Sequence, residues 1–283
     1  MEVSSIAERL LFTVIRIETL GLEGEQKVGT GFIFSYKSDN KRYLFLVTCK
    51  HVISGAKEGM LTFIKSDGQK PLLGEGYRLK IEDFENAWFK HKSEHVDVAI
   101  LPFVPILDHI SNQGVQVFFR SIPANLVPSD EKLKEIDAVE DVLFIGYPVG
   151  LWDPKNLIPV VRKGITATPV FLDFKGEKQF LIDASVFPGS SGSPVFIYNK
   201  GIYWDKKSGG TVVGHRIFFL GMLSAVFKMP DTGEIIIPIE GMPVVRINQL
   251  VDIGVVFKAE TILETIKEFL EEMKNTKSSP SSK

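Results

Sequence analysis

Apolar and polar residues alternate with a period near two along most of the chain, in short runs separated by clusters of Gly, Pro, Asn, Asp and Ser. That pattern predicts short β-strands joined by turns. After a short helical beginning, residues 11–19 (LFTVIRIET) form the first expected strand and residues 27–36 (KVGTGFIFSY) the next. Gly29 and Gly31 flank Thr30 in the second, which suggests a bulge or a close backbone approach. Ser38-Asp39-Asn40 reads as a turn, so residues 32–52 form a hairpin whose second strand, YLFLVTCKHV, delivers His51 at its end. Further strand-like pieces run over 60–89 and 96–103.

Residues 121–141 (SIPANLVPSDEKLKEIDAVED) are polar, carry two prolines and lack a strong period, and so mark a boundary. Strands resume over 142–147, 165–174, 179–185, 193–198, 211–226, 234–239 and 251–257. The same dense series on both sides predicts two barrel-like halves, 1–120 and 142–257, joined by the linker 121–141. Over 258–274 the period changes. Ile262, Leu263, Ile266, Phe269, Leu270 and Met273 recur at helical spacing, which predicts a terminal helix packed on the body. Residues 275–283 (NTKSSPSSK) read as a disordered tail.

One stretch stands apart, DASVFPGSSGSPVF over 183–196: a strand that breaks into a small-residue turn between Pro188 and Pro194 and then resumes. Glycines permit backbone angles closed to other residues, so such a turn can project one hydroxyl and aim its own N–H groups at one place. Acyl transfer needs that arrangement. A Ser/Gly surface loop has the same composition, so the segment does not decide the matter alone.

Composition narrows the classes. The 283 residues are 44% hydrophobic and 24% charged, with 21 Phe against 3 Trp, a soluble globular profile with core material to spare. A net charge of −2 supplies no basic field for nucleic acid and no lysine-rich face for anionic membranes. Glu8, Arg9 and Arg16 interrupt any signal-peptide core, and the one cysteine, Cys49, excludes an intrachain disulfide. A cytoplasmic protein is expected.

Three candidate groups then need weighing. His51 after an apolar strand can be structural or catalytic, and Cys49, inside that strand, reads as a small buried residue rather than a nucleophile. His91-Lys92-Ser93-Glu94-His95 matches an H-x-x-E-H metal pattern, but that motif needs a helix and this segment runs straight into a strand. Asp97, at the start of an apolar strand, is costly to bury unless a partner such as an imidazole compensates.

His51, Asp97 and Ser191 occur in that order, each at the edge of a β-segment. With VTCKHV around His51, DVAIL from Asp97, PGSSGSP around Ser191 and GMLSAV from Gly221, the chain resembles the chymotrypsin-like serine proteases. DAVEDVLFIGYPVG (137–150) and VDIGVVFKAETILETI (251–266) look most like the HtrA-type (high-temperature-requirement) bacterial protease domain. The resemblance spans about Gly29 to Met273. It implies an all-β fold of two chymotrypsin-like six-stranded antiparallel β-barrels with a C-terminal α-helix.

By the same resemblance Ser191 is the nucleophile, His51 the general base and Asp97 its orienting group, with the N–H groups of Gly189 and Ser191 as oxyanion hole. Ser224 takes the position that hydrogen-bonds the aspartate. Ser185, Ala225 and Val226 take positions of the substrate pocket, where a neutral floor and a branched wall favour small or medium aliphatic P1 side chains. Ser193 departs from the family's glycine two places after the nucleophile. No zymogen-type amino terminus is seen, and the chain ends soon after the terminal helix, without room for a PDZ domain. The resulting expectation is a serine endopeptidase acting on polypeptides through an acyl-enzyme, with no cofactor, metal, nucleic acid or membrane. A catalytically latent protease-fold module that needs an activating protein partner is the alternative, a general esterase a third. Oligomeric state is left open.

Overall fold

The computed structural model describes residues 1–149, 151–226 and 252–278. Helix α1 (Ile6–Leu11) opens the chain. Its cap is reciprocal: the Ser5 hydroxyl accepts from the Glu8 N–H while the Glu8 side chain accepts from the Ser5 N–H. Strand β1 (Val14–Gly21) therefore starts later than the alternation from Leu11 predicts. Strands β2 (Gln26–Ser38) and β3 (Lys41–Thr48) form the expected hairpin. Its tip is Asp39-Asn40, both at positive φ (50° and 59°), the twist that two-residue hairpin turns require.

The strand expected through Val52 stops at Thr48. The chain turns instead into helix α2 (Lys50–Ile53), so His51 sits on a helical turn rather than a strand end. Strands β4 (Ala56–Ser66), β5 (Pro71–Glu82), β6 (Phe89–Lys90) and β7 (Ala99–Pro102) follow. The strand predicted over 96–103 is thus shorter at both ends, and helix α3 (Val104–Asn112), unforeseen, takes up the chain with a proline in its first turn. Strands β8 (Val117–Phe118) and β9 (Ile122–Pro123) complete a nine-stranded sheet ordered β5-β4-β1-β2-β3-β7-β6, with β8 on β4 and β9 on β2.

The expected linker carries structure of its own. Besides β9 it holds a 3-10 turn (Ala124–Leu126) and helix α4 (Asp130–Glu135), capped by the Ser129 hydroxyl. Strands β10 (Asp141–Gly146), β11 (Val160–Thr166), β12 (Gln179–Asp183), β13 (Pro194–Asp205), β14 (Gly210–Val226) and β15 (Ile253–Lys258) then close a six-stranded barrel in the order β10-β11-β12-β15-β14-β13. The chain is mostly β, in two sheets with a terminal helix, a two-barrel chymotrypsin-like fold. The six strands expected of each half describe the second, and the first has nine.

Other departures are local. The strand expected over 165–174 lies at Val160–Thr166 and ends before Pro169, which has no N–H to give a ladder. β13 runs on past Tyr198 to Asp205, and β14 is continuous, its predicted break appearing as a register shift between Leu223 and Ala225. Helix α5 (Ala259–Ser278) continues into residues expected to be a tail, while 279–283 and the predicted strand 234–239 lie outside the described residues.

One core fills the first sheet and extends under α5, whose Ile262 and Ile266 are fully buried in it. Phe269 of α5 packs on Phe45 and Phe89, with ring centroids 5.7 and 5.4 Å apart. Phe219 of β14 reaches across from the second half and meets Phe32, Phe34 and Phe196 at 5.4, 5.7 and 5.5 Å. A second cluster, with Phe144, Phe180, Ile182, Val195 and Val256, fills the barrel. Among the described residues no helix is long and apolar enough to cross a membrane.

Candidate active site

His51 and Asp97 lie at the same end of the neighbouring strands β3 and β7, where Thr48 pairs with Ala99. α2 presents the imidazole, and the loop between β6 and β7 presents the carboxylate. Lys50 fastens the two supports, donating from Nζ to the Ser93 carbonyl at 2.7 Å. Asp97 then accepts three bonds: at Oδ1 from the His51 backbone N–H (3.0 Å), and at Oδ2 from His51 Nδ1 (2.6 Å) and the Ser224 hydroxyl (2.5 Å). The Asp97 side chain is only 20% exposed and His51 is 49% exposed. Burial alone pushes the Asp97 carboxyl up, but the His51 hydrogen bonds and charge together with the Ser224 hydroxyl outweigh it and hold it below the usual carboxylate range. A carboxylate on Nδ1 places the imidazole proton there, which leaves Nε2 with its lone pair free.

Ser224 comes from the other half of the molecule. It sits at the register shift of β14, between Leu223, paired with Val256, and Ala225, paired with Val255. A residue at such a bulge is turned out of the ladder, which is how its hydroxyl reaches Asp97.

The Ser191 turn is held from outside at almost every carbonyl. Gly189 and Gly192 adopt φ of 89° and 91°. Val149 N–H donates to Pro188 O (2.8 Å), Thr30 N–H to Ser191 O (2.9 Å) and Gly192 N–H to Leu223 O (2.7 Å). The Thr30 hydroxyl donates to Gly189 O at 2.9 Å and itself accepts from Tyr147 N–H at 2.9 Å. The Thr48 hydroxyl in turn donates to Thr30 O at 2.8 Å. Among the described residues the N–H groups of Gly189 and Ser191 make no bond within this backbone network, so both remain available to a ligand. A side chain is excluded at both glycines, since a Cβ on Gly192 would lie 1.7 Å from Thr30 O and one on Gly189 2.6 Å from Tyr147 O.

The structure therefore brings His51, Asp97 and Ser224 into one bonded group and ties the Ser191 turn to β2 of the first sheet through Thr30. Among the described residues no hydrogen bond joins the Ser191 hydroxyl to the His51 ring. Ser185 is half-buried in the loop after β12. Ala225 and Val226 lie on β14 opposite Val255 and Gly254, and their side chains fall outside the described residues. Ser193 is fully buried and among the described residues its hydroxyl has no partner; it fits because Gly146 opposite has no Cβ, which would stand 2.1 Å from Ser193 Oγ. His91 and His95 lie in a loop, where His91 Nδ1 accepts from the Ser93 N–H at 3.0 Å. Sequence reading marked Gly29-Thr30-Gly31 as a close approach but did not connect Thr30, Tyr147 or Val149 with the serine turn. The signal was a polar residue between two glycines in a buried strand.

A two-barrel fold with a carboxylate-bound imidazole beside a glycine-bounded serine turn defines the class of chymotrypsin-fold serine hydrolases. The family model of the trypsin-like peptidase domain matches residues 29–201, and the chain belongs to that family, as a trypsin-like serine protease. Among solved structures, that of GrC is 12% identical with a TM-score of 0.50, over 95% of this chain and 97% of that one. The active form of the Rv3671c protease from M. tuberculosis is 18% identical with a TM-score of 0.43, over 91% and 81%. Protease Anisep from Arthrobacter nicotinovorans is 12% identical with a TM-score of 0.44, over 90% and 94%. At these identities the likeness is one of fold. No curated protein sequence matches the chain.

Thr30 offers a test of how the turn is held. Thr30→Val keeps the shape but leaves Gly189 O and Tyr147 N–H unpartnered in a buried place, which costs about 1–3 kcal/mol per group. Urea unfolding should show this loss for Thr30→Val and largely restore stability in Thr30→Ser. Equal midpoints for wild type and Thr30→Val would mean that the hydroxyl does not hold the turn.

Proposed function

We propose that the protein is a serine endopeptidase that cuts polypeptides through a Ser191 acyl-enzyme. The observation that carries this reading is the Asp97 carboxylate, bound at once by the His51 backbone, the His51 ring and Ser224. Such a carboxylate holds the imidazole with Nε2 unprotonated, the state in which it can take a proton from a serine. Ser191 attacks the scissile carbonyl as its proton passes to His51 Nε2, and the Gly189 and Ser191 N–H groups receive the developing oxyanion. Collapse of the tetrahedral adduct returns that proton to the leaving amine, and water then repeats the sequence on the ester. No cofactor enters any step.

Within the family we assign the chain to the HtrA type, on the segments at 137–150 and 251–266. Ser185 as pocket floor, with Ala225 and Val226 as wall, would select small or medium aliphatic P1 residues, because these three residues offer Arg or Lys no carboxylate. A single buried cysteine suits a reducing, cytoplasmic setting. One observation favours a second reading, a latent module that needs an activating protein: the missing bond between the Ser191 hydroxyl and His51. Catalytic hydrogen bonds are often long before substrate arrives, so the first reading stands ahead.

A fluorophosphonate probe should label the purified wild type and not Ser191→Ala. A folded wild type that resists the probe would establish latency and shift the search to an activator. With a peptide library, cleavage should fall after small or medium aliphatic residues, and cleavage after Arg or Lys would remove the pocket assignment.

A further inference from the structure

Beneath the imidazole lies a group that peptide hydrolysis does not use. Cys49 stands just before the first residue of α2, two residues before His51, and is fully buried. Its Sγ donates weakly to Leu223 O at 3.5 Å. Cys49 Sγ, a His51 ring nitrogen and an Asp97 carboxylate oxygen all lie within 4.8 Å of one another. Thiolate, imidazole and carboxylate are the donor types that bind zinc, at about 2.3, 2.0–2.1 and 2.0–2.2 Å.

The geometry points to an inhibitory metal site: Zn²⁺, or a cation of similar softness, bound by Cys49 Sγ, His51 Nδ1 and Asp97 Oδ2, with water in the fourth position. Its function as an inhibitor rests on the serine-protease reading, whereas its existence does not. The charges fit. Asp97 is already a carboxylate, and Cys49 loses its proton to solvent as the sulfur–zinc bond forms, so two anions neutralise one dication in a half-buried place. The His51 proton moves from Nδ1 to Nε2, leaving the imidazole neutral. Nothing is oxidised or reduced, and one proton is released per zinc bound.

Local structure tolerates the change. Burial, with the Asp97 charge next in weight, holds the Cys49 thiol protonated in the metal-free protein. Losing that thiol proton removes one donor from Leu223 O, but Gly192 N–H still bonds this carbonyl at 2.7 Å. The Ser224 hydroxyl on Asp97 keeps the carboxylate turned toward the site, as partners outside the ligand set commonly do. The half-exposed His51 ring is the movable side of the site. It must open from its 2.6 Å contact with Asp97 to admit the ion.

The inhibition would need no contact with Ser191. Metal on Nδ1 forces the proton onto Nε2, and an imidazole protonated there cannot accept the serine proton. Replacing Cys49 by Ala should therefore spare the protein from zinc without touching the reaction.

The test uses the full chain and two readouts. Co²⁺ added to the folded protein should give a sulfur-to-cobalt charge-transfer band that Zn²⁺ abolishes and that Cys49→Ala lacks. Fluorophosphonate labelling of Ser191 should slow with Zn²⁺ and recover with a chelator. Cys49→Ala should be labelled normally without metal and require ~10-fold or more zinc for the same slowing. Cys49→Ser, which keeps the volume with a harder donor, should behave like Cys49→Ala and guards against a folding artefact. Absence of the band in folded wild type, or zinc sensitivity unchanged in both variants, would overturn the site. If the wild type resists the probe altogether, the cobalt band still reports metal binding, so failure of the enzymatic reading is told apart from failure of the metal site.

Discussion

A carboxylate taken largely out of water must be met by donors, and in this molecule the donors for Asp97 come from both halves. The first supplies the His51 N–H and ring from α2, and the second supplies the Ser224 hydroxyl from β14. Neither half alone satisfies the charge. Removing one partner of such a group exposes the desolvation cost of the rest, so docking of the halves and orientation of the imidazole become one requirement. The same contact that lowers the energy of the seam also sets the proton on Nδ1.

A second seam runs beside the first. Thr30 lies in the first sheet, yet its N–H, hydroxyl and carbonyl serve Ser191, Gly189, Tyr147 and Thr48 in turn. Those bonds fix the carbonyls of the serine turn, and among the described residues they leave the N–H groups of Gly189 and Ser191 outside the backbone network. Phe219, seated among Phe32, Phe34 and Phe196, supplies the apolar contact that keeps both seams closed. Oxyanion stabilisation depends on donors already in place when charge develops, so rigidity of this kind is itself a catalytic property.

Much of this was legible in the sequence. Period-two alternation disclosed the β architecture, and the helical spacing after Lys258 disclosed α5, because both rest on burial of one face. Glycine turns and strand edges mark His51, Asp97 and Ser191 locally without deciding their roles, and only the resemblance to the chymotrypsin-like serine proteases singled them out together. What failed was non-local. VTCKHV has the composition of a strand, and the bonds from Lys50 and His51 to the Asp97 loop that accompany the helical turn Lys50–Ile53 are not visible in it. Thr30 could be flagged as crowded but not linked to Gly189, which lies 159 positions on. Helix α3 was hidden by its β-branched residues, whose intrinsic preference packing of Ile106 and Ile110 overrode. The nearness of Cys49 to Asp97 likewise belongs to the fold rather than to the spacing.

The central claim, that the Ser191 turn is an oxyanion hole served by a carboxylate-bound imidazole, is tested most directly by a crystal structure of the protein inactivated with a phosphonate. The account predicts a bond from Ser191 Oγ to phosphorus and a phosphonyl oxygen about 2.7–3.1 Å from the N–H groups of both Gly189 and Ser191. An adduct on another residue, or a phosphonyl oxygen that meets neither N–H, would contradict it.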